Sequence, residues 1–327
     1  MHAPSSTVPE VDALVDLLDG PRARGAFVKR AVLEPPWSLR IEDRAPLTLV
    51  ALVKGAAWVV HDDGEPVAMR PGDVAIIRGS DPYTVASAPG IAPQVVVHPG
   101  QHCTTPDGVS LAEAMELGIR TWGKSLTGST AMLVGTYQVD GDVSRRLLAA
   151  LPPRLILSDD ALDGTLVGLL GKELAKDDPG QEAVLDRLLD LLLIAVLRAW
   201  FARPDAEAPG WYRAHGDAVV GAALRMLHDD PSRPWTVASL AAAVGVSRAA
   251  FARRFMALVG EPPMTYLAAW RLSLAADLLR EPEATVGSVA HQVGYASPFA
   301  LSTAFKRVHG VSPRQHRVAA AAAAAAG

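Results

Sequence analysis

Cysteine occurs once, at position 103, in a chain of 327 residues. A single thiol cannot close an intrachain disulfide, which excludes a disulfide-stapled fold and fits a reducing compartment. Long apolar runs are also lacking. The best candidate, residues 188–201, is interrupted by Asp190 and Arg198 and falls short of the roughly 18 apolar residues a membrane span requires. The opening MHAPSSTVPEVDALVDLLDG is acidic and has neither the basic start nor the apolar block of a secretory signal. These absences predict a soluble, cytoplasmic protein without a membrane partner. A strong overall charge is missing too, the net value being −4, but its distribution is uneven: residues 211–327 hold 12 basic against 7 acidic side chains, the remainder 19 against 28. A basic segment on an acidic remainder suits a nucleic-acid-binding domain joined to one that does not bind, because phosphates need cations only where contact occurs. Chance unevenness on two solvated surfaces would look the same.

The length favours two domains. Between Trp37 and Ser87, runs rich in Val, Ile and aromatics (LTLVALVKG, AAWVVHDDGEPVAM, PGDVAIIRGSDPYTV) alternate with turns at Asp62-Asp63-Gly64 and Pro71-Gly72-Asp73, and PQVVVHPG and MLVGTYQVD (132–140) add further strands. Strands at this spacing predict a small antiparallel barrel or sandwich. Beyond Pro153 the pattern becomes helical. Leu185, Leu188, Leu189, Leu192, Leu193, Val196, Leu197 and Trp200 recur at three- and four-residue steps. That face serves either its own domain or a dimer partner. RPDAEAPGWYRAHG (203–216) looks like a linker, and the alanine run 319–326 like a tail without functional content. The expected division is a sensor domain at 1–155, a helical dimerisation segment at 156–204, a linker at 205–214, a DNA-binding domain at 215–318 and the tail at 319–327.

The last hundred residues repeat with a period of about 50. Thr236-Val237 with Leu240-Ala241 returns as Thr285-Val286 with Val289-Ala290; Gly245 returns as Gly294, Ser247 as Ser297, Phe255 as Phe305, Gly260 as Gly310 and Pro263 as Pro313. Each copy has the order of a helix-turn-helix: a short helix, a glycine able to adopt left-handed φ, a serine N-cap and a second helix. In the first copy the core is expected from Phe251, Phe255 and Leu258, leaving Arg248, Ala249, Ala252 and Arg253 outward and, with the cap Ser247, as DNA-contact candidates. There, small alanines permit close approach to a major groove and arginine can pair bidentately with guanine. In the second, Leu301, Phe305 and Val308 are expected inside; Ser302, Thr303, Lys306 and Arg307 are outward and, with the cap Ser297, are DNA-contact candidates, while Phe299 either touches a thymine methyl or braces its own domain. MTYLAAWRLSLAADLLR (264–280), with Leu267, Trp270, Leu274 and Leu278, reads as a bridging helix able to hold two recognition helices about one DNA turn, roughly 34 Å, apart.

On these residues the segment 217–317 resembles the DNA-binding domain of the AraC/XylS transcription regulators. LAAAVGVSRAAFARRF, GEPPMTYLAAWRLSLAADLL and VAHQVGYASPFALSTAFKRVHGVSPRQHR carry the resemblance, including Gly294, Phe299, Phe305, Gly310, Pro313 and Arg317. His316 stands where the family commonly has Tyr, a change expected to alter packing only. The resemblance implies double-stranded DNA as a partner, RNA polymerase as another, and a homodimer.

The strand-rich region resembles the cupin-like effector domains joined to such regulators, with Pro71-Gly72-Asp73 as its mark. The expected fold is therefore α+β and multidomain: a cupin-like barrel followed by helices, then an all-α domain of two helix-turn-helix units. Metal-binding cupins carry histidines where this chain has Leu47-Thr48-Leu49 and Pro82-Tyr83-Thr84, which disfavours the alternative of a cupin enzyme with a DNA-binding appendage. His98, His102 and Cys103 crowd within six residues, with His61 on another strand; they could hold a metal ion, form an oxidant sensor, or be a buried thiol among ordinary loop histidines. The effector itself is unidentified from sequence.

Overall fold

A computed structural model describes residues 27–62, 64–118, 120–137, 141–162, 164–176, 178–203 and 208–326. The acidic N-terminus, Asp63 of the first turn, the end of MLVGTYQVD and residues 204–207 of the linker lie outside them. The described residues form two compact units, one over 27–137 with 148–203, the other over 208–326 with 141–147.

The first unit is a two-sheet barrel. Its strands are β1 (Phe27–Leu33), β2 (Ser38–Ile41), β3 (Leu47–Lys54), β4 (Ala57–His61), β5 (Val67–Met69), β6 (Val74–Arg78), β7 (Tyr83–Ala86), β8 (Val95–His98), β9 (His102–Thr104), β10 (Glu116–Gly118), β11 (Thr121–Gly123), β12 (Thr130–Tyr137) and β13 (Arg154–Leu157). One sheet runs β10-β11-β1-β12-β3-β6-β13, the other β5-β4-β7-β2-β8-β9. The pairing is antiparallel except between β1 and β11 and between β2 and β8. Two sequence expectations need correction here. The barrel is mixed rather than purely antiparallel, and β13 lies beyond Pro153, where the helical reading had begun. Its four residues pair edge-on with β6, and a strand so short carries too little alternation to register.

Inner-face residues Leu33, Trp37, Leu39, Val50, Leu52, Val59, Ile77, Val85 and Met132 form one core. In β3 every residue from Leu47 to Leu52 is buried, on both faces, so the strand reads as a continuous apolar run rather than an alternating one. The outer face is covered by helices α3 (Thr165–Leu174) and α4 (Gln181–Phe201), which follow α1 (Ala112–Met115) and α2 (Asp142–Ala149). Gly135 of β12 makes that cover fit, since a Cβ there would sit 2.8 Å from Leu189 Cδ2, and Tyr137 donates its hydroxyl hydrogen to the Leu189 carbonyl at 2.9 Å. The apolar stripe Leu185, Leu189, Leu192, Leu193, Val196 and Leu197 is thus consumed inside its own unit; Val184 and Leu191 remain exposed. Among the described residues no helix is long and apolar enough to cross a membrane.

The second unit contains most of α2, together with α5 (Gly210–His215), α6 (Val220–Asp229), α7 (Val237–Ala243), α8 (Arg248–Val259), α9 (Pro263–Leu278), α10 (Val286–Gln292), α11 (Pro298–His309) and α12 (Pro313–Ala326). Within the stretch that reads as a linker, Gly210 already begins α5, which packs on α8; a Cβ at Gly210 would lie 2.4 Å from the Val259 carbonyl. The alanine run continues α12, as expected of the residue with the highest helix propensity.

Replacing Leu189 by Ala should destabilise the protein by about 2–5 kcal/mol, whereas Leu191→Ala should stay within about 0.5 kcal/mol. Urea denaturation of the two variants checks the assignment of the helix face.

Candidate nucleic-acid interface and barrel cavity

The two helix-turn-helix copies are built by the same local chemistry. Thr236 Oγ1 accepts from Ser239 N at 3.0 Å while Ser239 Oγ accepts from Thr236 N at 2.9 Å; Thr285 and Ser288 repeat the exchange at 3.0 and 3.1 Å. Each short helix therefore starts in a reciprocal capping box. Each also ends alike. Gly245 (φ 71°) and Gly294 (φ 79°) are left-handed, Val246 N donates to Ala241 O and Tyr295 N to Ala290 O, and the glycine amides donate to Ala242 O and His291 O. This double bond closes a Schellman turn that satisfies the final carbonyls and reverses the chain. Ser247 and Ser297 then cap the recognition helices by accepting from Ala250 N and Ala300 N at 3.3 and 3.2 Å.

Phe251 and Phe255 are fully buried and stack edge-on with each other and, for Phe255, with Tyr266 of the bridging helix α9. In the second copy Leu301 and Phe305 pack with Leu272, Ala275 and Ala276 of α9, with Leu279 at its C-cap, and with Val289, Ala290 and Val293. Val308, expected inside, is 60 % exposed. The adjacent His309 takes that inward place instead, its ring stacked on Phe305 and paired with the Leu272 backbone of α9. His316 keeps an aromatic role, edge-on to Phe305 with its Nε2 3.1 Å from the Ala276 carbonyl oxygen.

On the outward side Ser247, Arg248, Ala249 and Arg253 are exposed and Ala252 half-buried. Among the described residues Arg248 and Arg253 make no hydrogen bond or ion pair, whereas adjacent Arg254 is tied to Asp217 at 2.6 Å. In the second copy Phe299, Thr303, Lys306 and Arg307 are exposed, and Ser297 and Ser302 are half-buried. Phe299, at 82 % exposure, does not brace its domain.

The histidines and the thiol do not converge. His98 and His102 face each other across the β8–β9 pair, ring centroids 6.1 Å apart, with His98 Nε2 at 2.9 Å from Thr104 Oγ1. Cys103, one residue on, points to the opposite, buried face beside Val97, because strand side chains alternate. His61 stacks on Tyr83 in another part of the sheet. Among the described residues no three His, Cys, Asp or Glu side chains are grouped to hold a metal ion. Burial pushes the Cys103 thiol above its ordinary range, outweighing the pull of the Lys29 ammonium, so it stays protonated at neutral pH, the opposite of a reactive sensor thiolate.

What Cys103 lines instead is a cavity of about 70 Å³ inside the barrel. Its walls include Ala31, Leu39, Ile41, Val97 and Trp122, with Lys29, Asp43, Thr48, Tyr83 and Gln101 supplying polar atoms. Burial pushes the Asp43 carboxyl up, against hydrogen bonds donated by Ala45 N at 3.1 Å and Gln101 Nε2 at 3.4 Å. Gln101 reaches it from a left-handed backbone, φ 62°, which costs a non-glycine residue about 1–2 kcal/mol.

Residues 12–202 match the Cupin family and residues 240–319 the Helix-turn-helix domain family. A putative AraC-like transcription regulator of Streptomyces lividans is 33 % identical over 94 % of this chain and 98 % of its own length. The chain belongs to the AraC-like transcription regulators. The HTH-type transcriptional regulator AlkR of Acinetobacter baylyi is 28 % identical over 94 % of this regulator and 98 % of its own length. Among solved structures, the DNA-binding domain of AdpA in complex with a target DNA is 33 % identical, covering 33 % of this chain and 96 % of that one at a TM-score of 0.32.

Sequence reading of this AraC-like regulator missed the cavity residues Lys29, Asp43, Gln101 and Trp122. They come from four separate segments, and only the sheet closure brings them together. The one local signal was Gln101 itself, next to Pro99-Gly100 at a chain reversal.

Gly245→Ala should cost about 1–2 kcal/mol, because its Cβ would meet open space and only the backbone is strained. Gly294→Ala should cost clearly more, since its Cβ would lie 2.6 Å from the Ser232 carbonyl oxygen. Paired thermal melts decide between them.

Proposed function

We propose that both recognition helices of this AraC-like DNA-binding regulator contact double-stranded DNA, with Arg253 reading a base, Arg248 at its side, and Ala249 and Ala252 allowing the helix to lie close in the major groove. The observation that carries this is the contrast within one helix: Arg254 is spent on Asp217 while Arg253 is held outward without a partner among the described residues. Lys306 and Arg307, on the last turns of the second recognition helix, suit phosphate contact. The barrel cavity is the effector site in this reading. Apolar walls that also carry polar atoms of Asp43, Gln101, Lys29 and Tyr83 fit a very small, partly apolar molecule able to hydrogen-bond. Such a ligand acts by binding one DNA-competent or DNA-incompetent state better than the other. The reading extends to a homodimer, with the exposed Val184 and Leu191 side of α4 available for pairing, to work in the cytoplasm, and to contact with RNA polymerase, which rests on family membership alone. It is favoured over a cupin enzyme because the relatives are named as regulators and the imidazoles do not gather.

Arg253→Ala should weaken specific binding by about 1–3 kcal/mol and nonspecific binding less. Equal losses on selected and random duplexes in gel-shift titrations would make Arg253 a phosphate contact only. For the cavity, compact organic molecules that raise the melting temperature of the wild type should fail to do so for Ala31→Leu, which fills the space; hits that shift both proteins alike would place the effector elsewhere.

A further inference from the structure

The two recognition helices are alike inside and unlike outside. In the register fixed by Ser247 and Ser297, Arg248 corresponds to Pro298, Ala249 to Phe299, Ala252 to Ser302 and Arg253 to Thr303. The first helix thus offers two guanidinium groups and two small residues at its leading turns. The second offers no cation before Lys306. At the position of Ala249 it holds a phenyl ring that is 82 % exposed, while Leu301 and Phe305 fill the core of that copy without it. One turn on, the Thr303 hydroxyl donates to the Phe299 carbonyl at 3.0 Å, so its one donor hydrogen is taken by the helix's own backbone and its methyl is available to the groove. In the major groove the one apolar group on a base edge is the C5-methyl of thymine.

Resting on the reading that both helices contact DNA, we infer that Phe299 and Thr303 make the second helix a thymine-methyl reader, in contrast to the guanidinium reading of the first. The operator is then built of two unlike boxes, a guanine-containing one under α8 and a thymine-containing one under α11. Phe299 is the specificity-determining residue of the second box. Its ring discriminates by contact area, so the preference depends on the methyl group and not on hydrogen-bond donors or acceptors.

Uracil tests this directly, because it keeps every hydrogen-bonding atom of thymine and removes only the methyl. A duplex selected by the full-length protein from a random pool is resynthesised with uracil for thymine, first in one protected box and then in the other. Wild-type affinity should fall about fourfold for each contacted methyl lost in the second box. Phe299→Ala should bind the thymine duplex as weakly as wild type binds the uracil duplex, and should show no difference between the two. Phe299→Leu, which restores apolar area, should recover part of the preference. The ring is exposed, so the variants should melt at the wild-type temperature. Specific binding that is indifferent to uracil, or an unchanged thymine-to-uracil ratio in Phe299→Ala, overturns the inference and leaves DNA contact by both helices standing. Absence of any specific binding by the wild type overturns both.

Discussion

Two chain reversals, at Gly245 and Gly294, decide where the recognition helices can point. Each is over-determined: a left-handed glycine, two backbone hydrogen bonds closing the preceding helix, and a serine cap opening the next. A helix end left without such partners would strand several peptide groups, each costing on the order of 1–3 kcal/mol if buried. With them satisfied, the outward direction of each recognition helix follows from the turn and from the phenylalanines behind it. Trp270 and Tyr266 of α9 are buried on the first copy's side and Leu272, Ala275 and Ala276 are buried with the second, so one helix serves both cores. Because the scaffold is settled by residues that face inward, the outward residues are free to differ, and they do.

The barrel follows a different logic. Its strands are buried on one face by the opposite sheet and, around β3 and β12, on the other by α3 and α4. Most of the interior is filled, and the space left is lined by groups from distant parts of the chain. Asp43 and Gln101 are among them, the first kept in an environment that disfavours its charge, the second on a strained backbone. Under the proposed function, a ligand that bound these groups better in the DNA-competent or the DNA-incompetent state would shift the balance between those two states.

The helical domain was legible in the sequence because its determinants are local: caps, glycines and phenylalanines fall at fixed offsets and occur twice. Val308 was the exception, since helical spacing alone does not say which of two adjacent residues, Val308 or His309, takes the last inward place. The barrel was legible in its long strands but not at β13, too short to show a period, nor in its parallel pairs, which depend on chain paths between distant segments. The crowding of His98, His102 and Cys103 left three readings open, and strand geometry favours the buried thiol among ordinary histidines. Nearness along a strand places successive side chains on opposite faces, so His102 and Cys103 are neighbours in sequence and divided by the sheet. The apolar face of the helix from Gln181 to Phe201 had two readings, and its burial against β12 accounts for most of it within one chain.

The central claim is that one bridging helix fixes two DNA-reading units at a set separation. Hydroxyl-radical footprinting on a selected operator, repeated with five base pairs inserted between the protected segments, tests it most directly. The account predicts two protected segments about 10 base pairs apart on one face of the duplex, and a loss of roughly tenfold or more in affinity when the insertion rotates one box to the far side. A single protected segment, or affinity unchanged by the insertion, would contradict it.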